Sequence, residues 1–162
     1  MDIQIHKDIR AAIKQGNLER VADLIGSDQS RLNMMTPFGT WLHVAAAQGK
    51  LQIVKWLVEN GLDINAEGGI AGGGALHVAA SDGHLDIVRY LTDRGAHLDV
   101  SKSERNPLFG AICIGHTSIA KFLIESGIDT RIQYTTKTMG NMDALAFARE
   151  WGRSDIVELL NE

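Results

Sequence analysis

Two histidines occupy equivalent places in two similar segments, and their side chains are the first candidates for chemistry. His43 and His77 each lie within the sequence Leu-His-Val-Ala-Ala. An imidazole can serve as a general base or as a metal ligand. However, the chain contains no His-Glu-x-x-His sequence, and no His or Cys residues are spaced as in a zinc site. We therefore expect no catalytic residue and no metal ligand among the histidines.

A glycine-rich run, Gly68–Gly74, is the second candidate. Backbone N–H groups that precede a helix can hold an anion. No strand clearly precedes this run, and Ala-Leu-His follows it where a phosphate-binding loop requires Lys and then Ser or Thr. The favoured interpretation is a loop tip without a cofactor. A small regulator or enzyme that binds an anion or nucleotide through this loop remains the alternative.

Nucleophilic catalysis has even less support in the sequence. The chain has no Gly-x-Ser-x-Gly elbow, and its single cysteine, Cys113, has no evident partner base. A lone cysteine cannot form an internal disulfide, which fits a reducing compartment. We expect a protein that is not an enzyme.

Composition limits the remaining classes. The 162 residues fit a single domain, 1–162, and 44% apolar residues suffice for a core. A net charge of −4 disfavours nucleic acid as a partner. No run approaches the length of a membrane span, and the amino terminus does not resemble a signal peptide. We expect a cytoplasmic protein without a membrane partner, monomeric on its own.

A helix–glycine–helix phrase recurs five times along the chain. The phrases span residues 8–25, 42–58, 76–91, 108–124 and 145–160, and the aligned glycines are Gly16, Gly49, Gly83, Gly115 and Gly152. These glycines are separated by 33, 34, 32 and 37 residues. A period near 33 is typical of a stacked repeat array, in which each helix pair needs its neighbours to bury its apolar faces.

The best-formed phrases resemble the ankyrin repeat. They read Leu-His-Val-Ala-Ala, two variable residues, Gly, one residue, then Leu-x-Ile-Val, and they run on to Gly61-Leu-Asp-Ile-Asn65 or Gly95-Ala-His-Leu-Asp99. The resemblance implies an all-α ankyrin-repeat solenoid of about five helix-turn-helix repeats with hairpin-like finger loops. The repeats would cover roughly 5–34, 35–68, 69–101, 102–134 and 139–162, with the first and last as caps. The fingers would be 33–40, 66–75, 99–106 and 130–143.

The resemblance also assigns structural roles. His43 would tie its turn to neighbouring backbone, with Thr40 three residues before it. In the third repeat Gly74 replaces that threonine, so the corresponding bond of His77 is in doubt. Gly49, Gly83, Gly115 and Gly152 would form the inter-helix turns. His84 and His116 directly follow two of these glycines, which indicates a structural role shared by equivalent positions of the repeats.

Partner contacts are expected from the variable positions before each glycine and from the fingers. These positions change from polar to apolar along the chain, and Ile114 and Trp151 stand where solvent alone would favour polar residues. Either a partner or the long fourth finger could cover these two side chains. A second hypothesis is a basic rim formed by Lys102, Arg105, Arg131 and Lys137. The full set of contact candidates is Trp41, Gln48, Asp82, Arg105, Ile114, Tyr134 and Trp151. For Trp41, packing within its own finger beside Phe38 is an equal alternative.

The first functional hypothesis is thus a non-catalytic module that binds another protein through its concave inner-helix face and finger loops. Resemblance to bacterial stand-alone ankyrin proteins suggests a narrower form, a toxin-neutralising immunity or regulatory protein. The alternatives are the regulator or enzyme built around Gly68–Gly74 and a spacer inside a larger assembly.

Overall fold

Successive pairs of helices, each pair joined at a glycine turn, form the fold. The computed structural model describes residues 3–69, 72–136 and 140–162, without the side chain of Thr136. The first helices of the described pairs are α1 (Ile3–Gln15), α4 (Trp41–Ala47), α6 (Ala75–Ser81), α8 (Pro107–Ile114) and α10 (Ala144–Glu150). The second helices are α2 (Leu18–Ile25), α5 (Leu51–Glu59), α7 (Leu85–Asp93), α9 (Thr117–Glu125) and α11 (Ser154–Asn161).

The pairs stack side by side in chain order. Each first helix contacts the first helix of the next pair, and each second helix contacts the next second helix. Small side chains let the first helices approach closely: Ala45 and Ala46 of α4 and Ala79 and Ala80 of α6 are fully buried. The predicted all-α solenoid is confirmed. In the described part of the chain, no helix combines the length and apolar character needed to cross a bilayer.

The finger loops close in different ways. The first finger has a β-bridge between Thr36 and Gly39, and the second has one between Gly68 and Gly73. The fourth is a true hairpin of β1 (Tyr134–Thr136) and β2 (Gly140–Met142), with Tyr134 opposite Met142. The third finger, although predicted to be hairpin-like, is described throughout and has no bridge. It turns instead through backbone hydrogen bonds from Arg105 and Asn106 to the carbonyl of Lys102.

Side chains at the ends of the fingers start several of the helices. The side chain of Asn106 accepts hydrogen bonds from the backbone N–H groups of Leu108 and Phe109 at the start of α8, where Pro107 is the first residue. Asp143 caps α10 in the same way through Ala146. A short helix that the sequence analysis missed, α3 (Gln29–Leu32), begins at Asp28, which accepts from Ser30 and Arg31.

The carboxyl end of a first helix is completed by the following helix pair. The ring of His84 bonds the Ala47 carbonyl at 3.2 Å, and the ring of His116 bonds the Ser81 carbonyl at 3.2 Å. Arg153 donates to the carbonyls of Ile112 and Cys113 at 3.1 and 2.6 Å. These contacts supply donors to helix-end carbonyls that lack an intrahelical partner. They also place cationic or donor groups at the negative end of the helix dipole.

Glycine is required beneath these inter-repeat caps. Gly49 has φ of +64°, and a Cβ there would lie 2.6 Å from the ring of His84. Gly83 has φ of +84°, and a Cβ there would lie 2.7 Å from the ring of His116. Both the left-handed backbone of the turn and the space that the ring occupies thus require glycine. Gly115 and Gly152 occupy equivalent turns, with φ of +93° and +64°.

Candidate functional site

Two neighbouring grooves lie where the first helices meet the fingers. We call the one between α1, α4 and α6 the amino-terminal groove; its volume is about 310 Å³ and its walls include Arg10, Lys14, Phe38 and Gln48. The one between α6, α8, α10 and the fourth finger we call the apolar groove. Its volume is about 460 Å³, and its walls include Phe109, Cys113, Ile114, Tyr134 and Phe147.

A row of packed aromatic rings builds the apolar groove. Phe109 stacks on Phe147 with ring centroids 4.5 Å apart, and Tyr134 meets the edge of Phe109 at 4.9 Å. Trp151 continues the row, 5.8 Å from Phe147. Phe109 stands where the second and third repeats have His43 and His77. In the fourth repeat, aromatic packing therefore replaces the hydrogen-bonding histidine.

The outer edge of this row is open to solvent. Ile114 is 56% exposed and Trp151 is 43% exposed, while most other large apolar side chains of the described residues are covered. Both lie at the ends of first helices, α8 and α10. The described part of the fourth finger therefore leaves them accessible, although Met142 of β2 is buried. Met139, which falls within the fourth finger (130–143), lies outside the described residues.

His43 joins its own turn to the second finger. The backbone N–H of Thr40 lies 3.2 Å and its hydroxyl 2.9 Å from Nδ1, so Nδ1 accepts. Nε2 then carries the proton and donates to the Gly73 carbonyl at 3.0 Å. Burial lowers the pKa of His43, and the Gly73 carbonyl offsets part of that effect. The side chain is buried and neutral, in a structural environment.

His77 has a poorer environment because its repeat lacks the threonine. Gly74 begins α6 without a side-chain cap, and Nδ1 of His77 is buried without a hydrogen-bond partner. Nε2 lies 3.4 Å from the hydroxyl of Ser81. Burial lowers the pKa of His77, opposed by the Asn106 carbonyl and by the charges of Asp82 and Asp99. The described residues contain no group of three or more His, Cys, Asp or Glu side chains that could hold a metal ion.

Trp41 was predicted to contact a partner, and the structure shows that this is wrong. Its side chain is fully buried, and its Nε1 donates to the carbonyl of Arg31 at 2.8 Å. The ring of His6 meets its edge at a centroid distance of 6.3 Å. The indole therefore joins α4 to α3 and α1, and it has no exposed surface that a partner could contact.

Arg105 is not free to form the predicted basic rim. Its side chain is only 18% exposed, and its Nη1 lies 2.8 Å from the carboxylate of Glu67 and 3.9 Å from that of Asp99. Its charge is thus balanced within the chain. Arg105 therefore does not offer a partner the free cation that the predicted rim requires. Of the other rim residues, Arg131 is exposed near Asp129, Lys102 is exposed, and Lys137 lies outside the described residues.

The remaining candidates differ in position. Gln48 and Asp82 are exposed and line the amino-terminal groove. Tyr134 is half-buried: its hydroxyl donates to the Val100 carbonyl at 2.7 Å and accepts from Asn106 at 3.0 Å, while its ring lines the apolar groove. The sequence analysis missed Phe147, which occupies the position of Val44 and Val78 in the alignment on the inter-helix glycines. The aromatic residue at this position, where the second and third repeats have valine, was the feature of the sequence that could have identified it.

The glycine run gives little support to anion binding. The N–H of Gly68 already bonds the Gly73 carbonyl, and the N–H of Gly72 bonds the Gly69 carbonyl. Two donors that a phosphate cradle would need are therefore engaged within the loop. Gly68 also packs against the backbone of Gly39 in the first finger. The two central residues of the run, 70 and 71, lie outside the described residues.

A comparison with protein families gives a direct result. A model of ankyrin repeats, in three copies, matches residues 9–102, which is more than half of the chain. No curated protein matches the chain significantly.

Proposed function

The chain belongs to the ankyrin-repeat family, and from this membership we propose that it is a non-catalytic module that grips a partner protein with its apolar groove. Ankyrin repeats are, in general, protein–protein interaction modules. We propose in addition that the apolar groove is the surface used and that no chemical turnover accompanies binding.

The supporting observation is the exposure of Ile114 and Trp151 at the open edge of a packed aromatic row. Apolar area buried from water contributes roughly 25 cal/mol per Å². Aromatic side chains are enriched among the residues that carry most of the binding free energy. The groove is also built on helices, so that little conformational entropy is lost when a partner binds.

The experiment is affinity capture with the full chain from extracts of the native host, followed by cross-linking and calorimetry with the recovered partner. Wild type is compared with Ile114→Gln and Trp151→Ala. Met35→Ala is the matched control, since Met35 is 57% exposed but lies in the first finger. We expect each groove variant to lose about 2 kcal/mol of binding free energy, roughly 30-fold in affinity, and the control to lose little.

Folding and turnover are checked in the same experiment. Surface substitutions usually change the free energy of unfolding by no more than about 0.5 kcal/mol, so the Ile114 variant should melt close to wild type. The partner should be recovered with unchanged mass after long incubation. Unaltered affinity in both groove variants, with intact melting, would exclude this groove; a chemically modified partner would exclude a purely binding role.

Neutralisation of a toxin is the narrower form of this proposal, and its support is the resemblance to bacterial stand-alone ankyrin proteins. Its test is co-expression with the product of each neighbouring gene. A neighbour that arrests growth alone, and is relieved by wild type but not by Ile114→Gln, is the expected result. Relief that is equal for both forms would count against the groove as the neutralising surface.

A further inference from the structure

A second feature of the first helices is unexplained by the apolar groove. Lys7, Arg10 and Lys14 fall on one face of α1 by helical spacing, and Arg10 and Lys14 line the amino-terminal groove. Among the described residues, neither Arg10 nor Lys14 has a carboxylate oxygen within 4.0 Å. This differs from Arg105, whose charge is balanced by Glu67 and Asp99.

Arg10 is held in position by an aromatic ring. Its guanidinium carbon lies 4.0 Å from the ring centroid of Phe38, a residue of the first finger that is itself 46% exposed. The Nε of Arg10 is buried without a hydrogen-bond partner. A guanidinium stacked on a ring loses little freedom when it binds a carboxylate, and its planar donors match the two carboxylate oxygens.

Charge changes sign along the row of first-helix ends. Lys14 lies at the end of α1, uncharged Gln48 follows α4, and Asp82 follows α6. Glu104 then lines the apolar groove. Hydrogen bonds from its own backbone N–H and from Ser103 lower the pKa of Glu104, so this side chain adds one negative charge at the edge of an otherwise apolar groove. A partner that spans both grooves meets cations at one end and carboxylates at the other.

We infer that the amino-terminal groove binds an acidic side chain, Asp or Glu, of the same partner segment that places an apolar side chain in the apolar groove. This inference rests on the proposed function. Arg10 and Lys14 supply the positive charge, and Phe38 and Val78 cover the aliphatic part of the ligand side chain. Asp82, on the opposite wall, disfavours an acid at that side and so directs it toward α1. The chain's net charge of −4 disfavours nucleic acid, the other class of acidic ligand.

The test uses a displayed library of random 12-residue peptides selected on the immobilised full chain. We expect enriched peptides to carry Asp or Glu at one end and a large apolar residue toward the other. Selection on Lys14→Glu should lose the acidic preference but keep the apolar one. Lys121→Glu is the matched control, because Lys121 is an exposed cation on α9 outside both grooves.

A synthetic peptide with the enriched sequence gives the magnitude. It should bind Lys14→Glu roughly three- to tenfold more weakly than wild type at low salt, and the difference should shrink as salt is added. Arg10→Lys, which keeps the charge but loses the planar donors, should also weaken it. Lys121→Glu should leave the affinity unchanged.

The outcomes separate the two proposals. If acidic residues are not enriched, or are enriched equally on Lys14→Glu, this inference is overturned while the apolar groove can still hold. If the enriched peptides bind Ile114→Gln as well as wild type, the proposed function is overturned. If wild type enriches no peptide, both are overturned.

Discussion

Replacing Gly83 with alanine tests whether the inter-repeat caps stabilise the stack. Gly83 has φ of +84°, and a Cβ there would lie 2.7 Å from Cε1 and 2.9 Å from Nε2 of His116. The ring must therefore move. When it moves, its hydrogen bond to the Ser81 carbonyl, 3.2 Å long, is weakened or lost.

The structure provides a matched control for the size of this effect. Gly95 has the same φ of +84° but nothing within 4 Å of a Cβ. Left-handed backbone costs an alanine about 1–2 kcal/mol, so Gly95→Ala should destabilise by that amount. Gly83→Ala should cost this strain plus about 1 kcal/mol for the lost hydrogen bond, in total about 2–3 kcal/mol.

Urea unfolding followed by circular dichroism measures both variants. The double variant Gly83→Ala/His116→Ala closes the cycle: with the ring removed, the alanine at 83 should cost only its backbone strain. We therefore expect a total smaller than the sum of the single effects. Equal destabilisation by Gly83→Ala and Gly95→Ala, or strictly additive effects in the cycle, would refute the reasoning.

Two further predictions concern the histidines. Gly74→Thr should stabilise the fold by about 1 kcal/mol, because the new hydroxyl would reach the unpartnered Nδ1 of His77. The backbone at Gly74 is extended, with φ −86° and ψ 169°, and a Cβ there meets nothing within 4 Å, so the threonine fits without strain. Urea unfolding checks this against Gly74→Ala, and an equal gain from alanine would show that the hydroxyl is irrelevant. Burial lowers the folded-state pKa of His43 and His77, so their contribution to stability is complete above pH 6.5 and is lost as the pH falls below it. The urea midpoint should therefore drop between pH 7.5 and 5.5, with each histidine adding at most about 1.4 kcal/mol per pH unit, and an unchanged midpoint would contradict the neutral assignment.

The parts of the fold that follow from local chemistry could be predicted from the sequence. Apolar periodicity located the helix pairs, and glycine spacing located the turns. Even the equivalence of His84 and His116 was visible, since both directly follow an inter-helix glycine. These features depend on residues a few positions apart or on a repeating period.

The site was harder to predict because its key contacts join distant residues. Trp41 is buried and donates to the carbonyl of Arg31, which lies in a four-residue helix too short to show a period. Arg105 was counted as a free cation, but Glu67, from the preceding finger, lies within 2.8 Å of it. Residue type and loop membership could not reveal either contact.

The caps at the ends of the first helices have a consequence for biosynthesis. His84, His116 and Arg153 each complete a helix that precedes them by more than 30 residues along the chain. A ribosome delivers the amino-terminal part first, so α4, α6 and α8 each wait for the next helix pair to emerge before the carbonyls at their ends are satisfied. Completion of these helix ends should therefore lag translation by one helix pair. A ribosome that stalls inside α7 would leave the end of α6 uncapped.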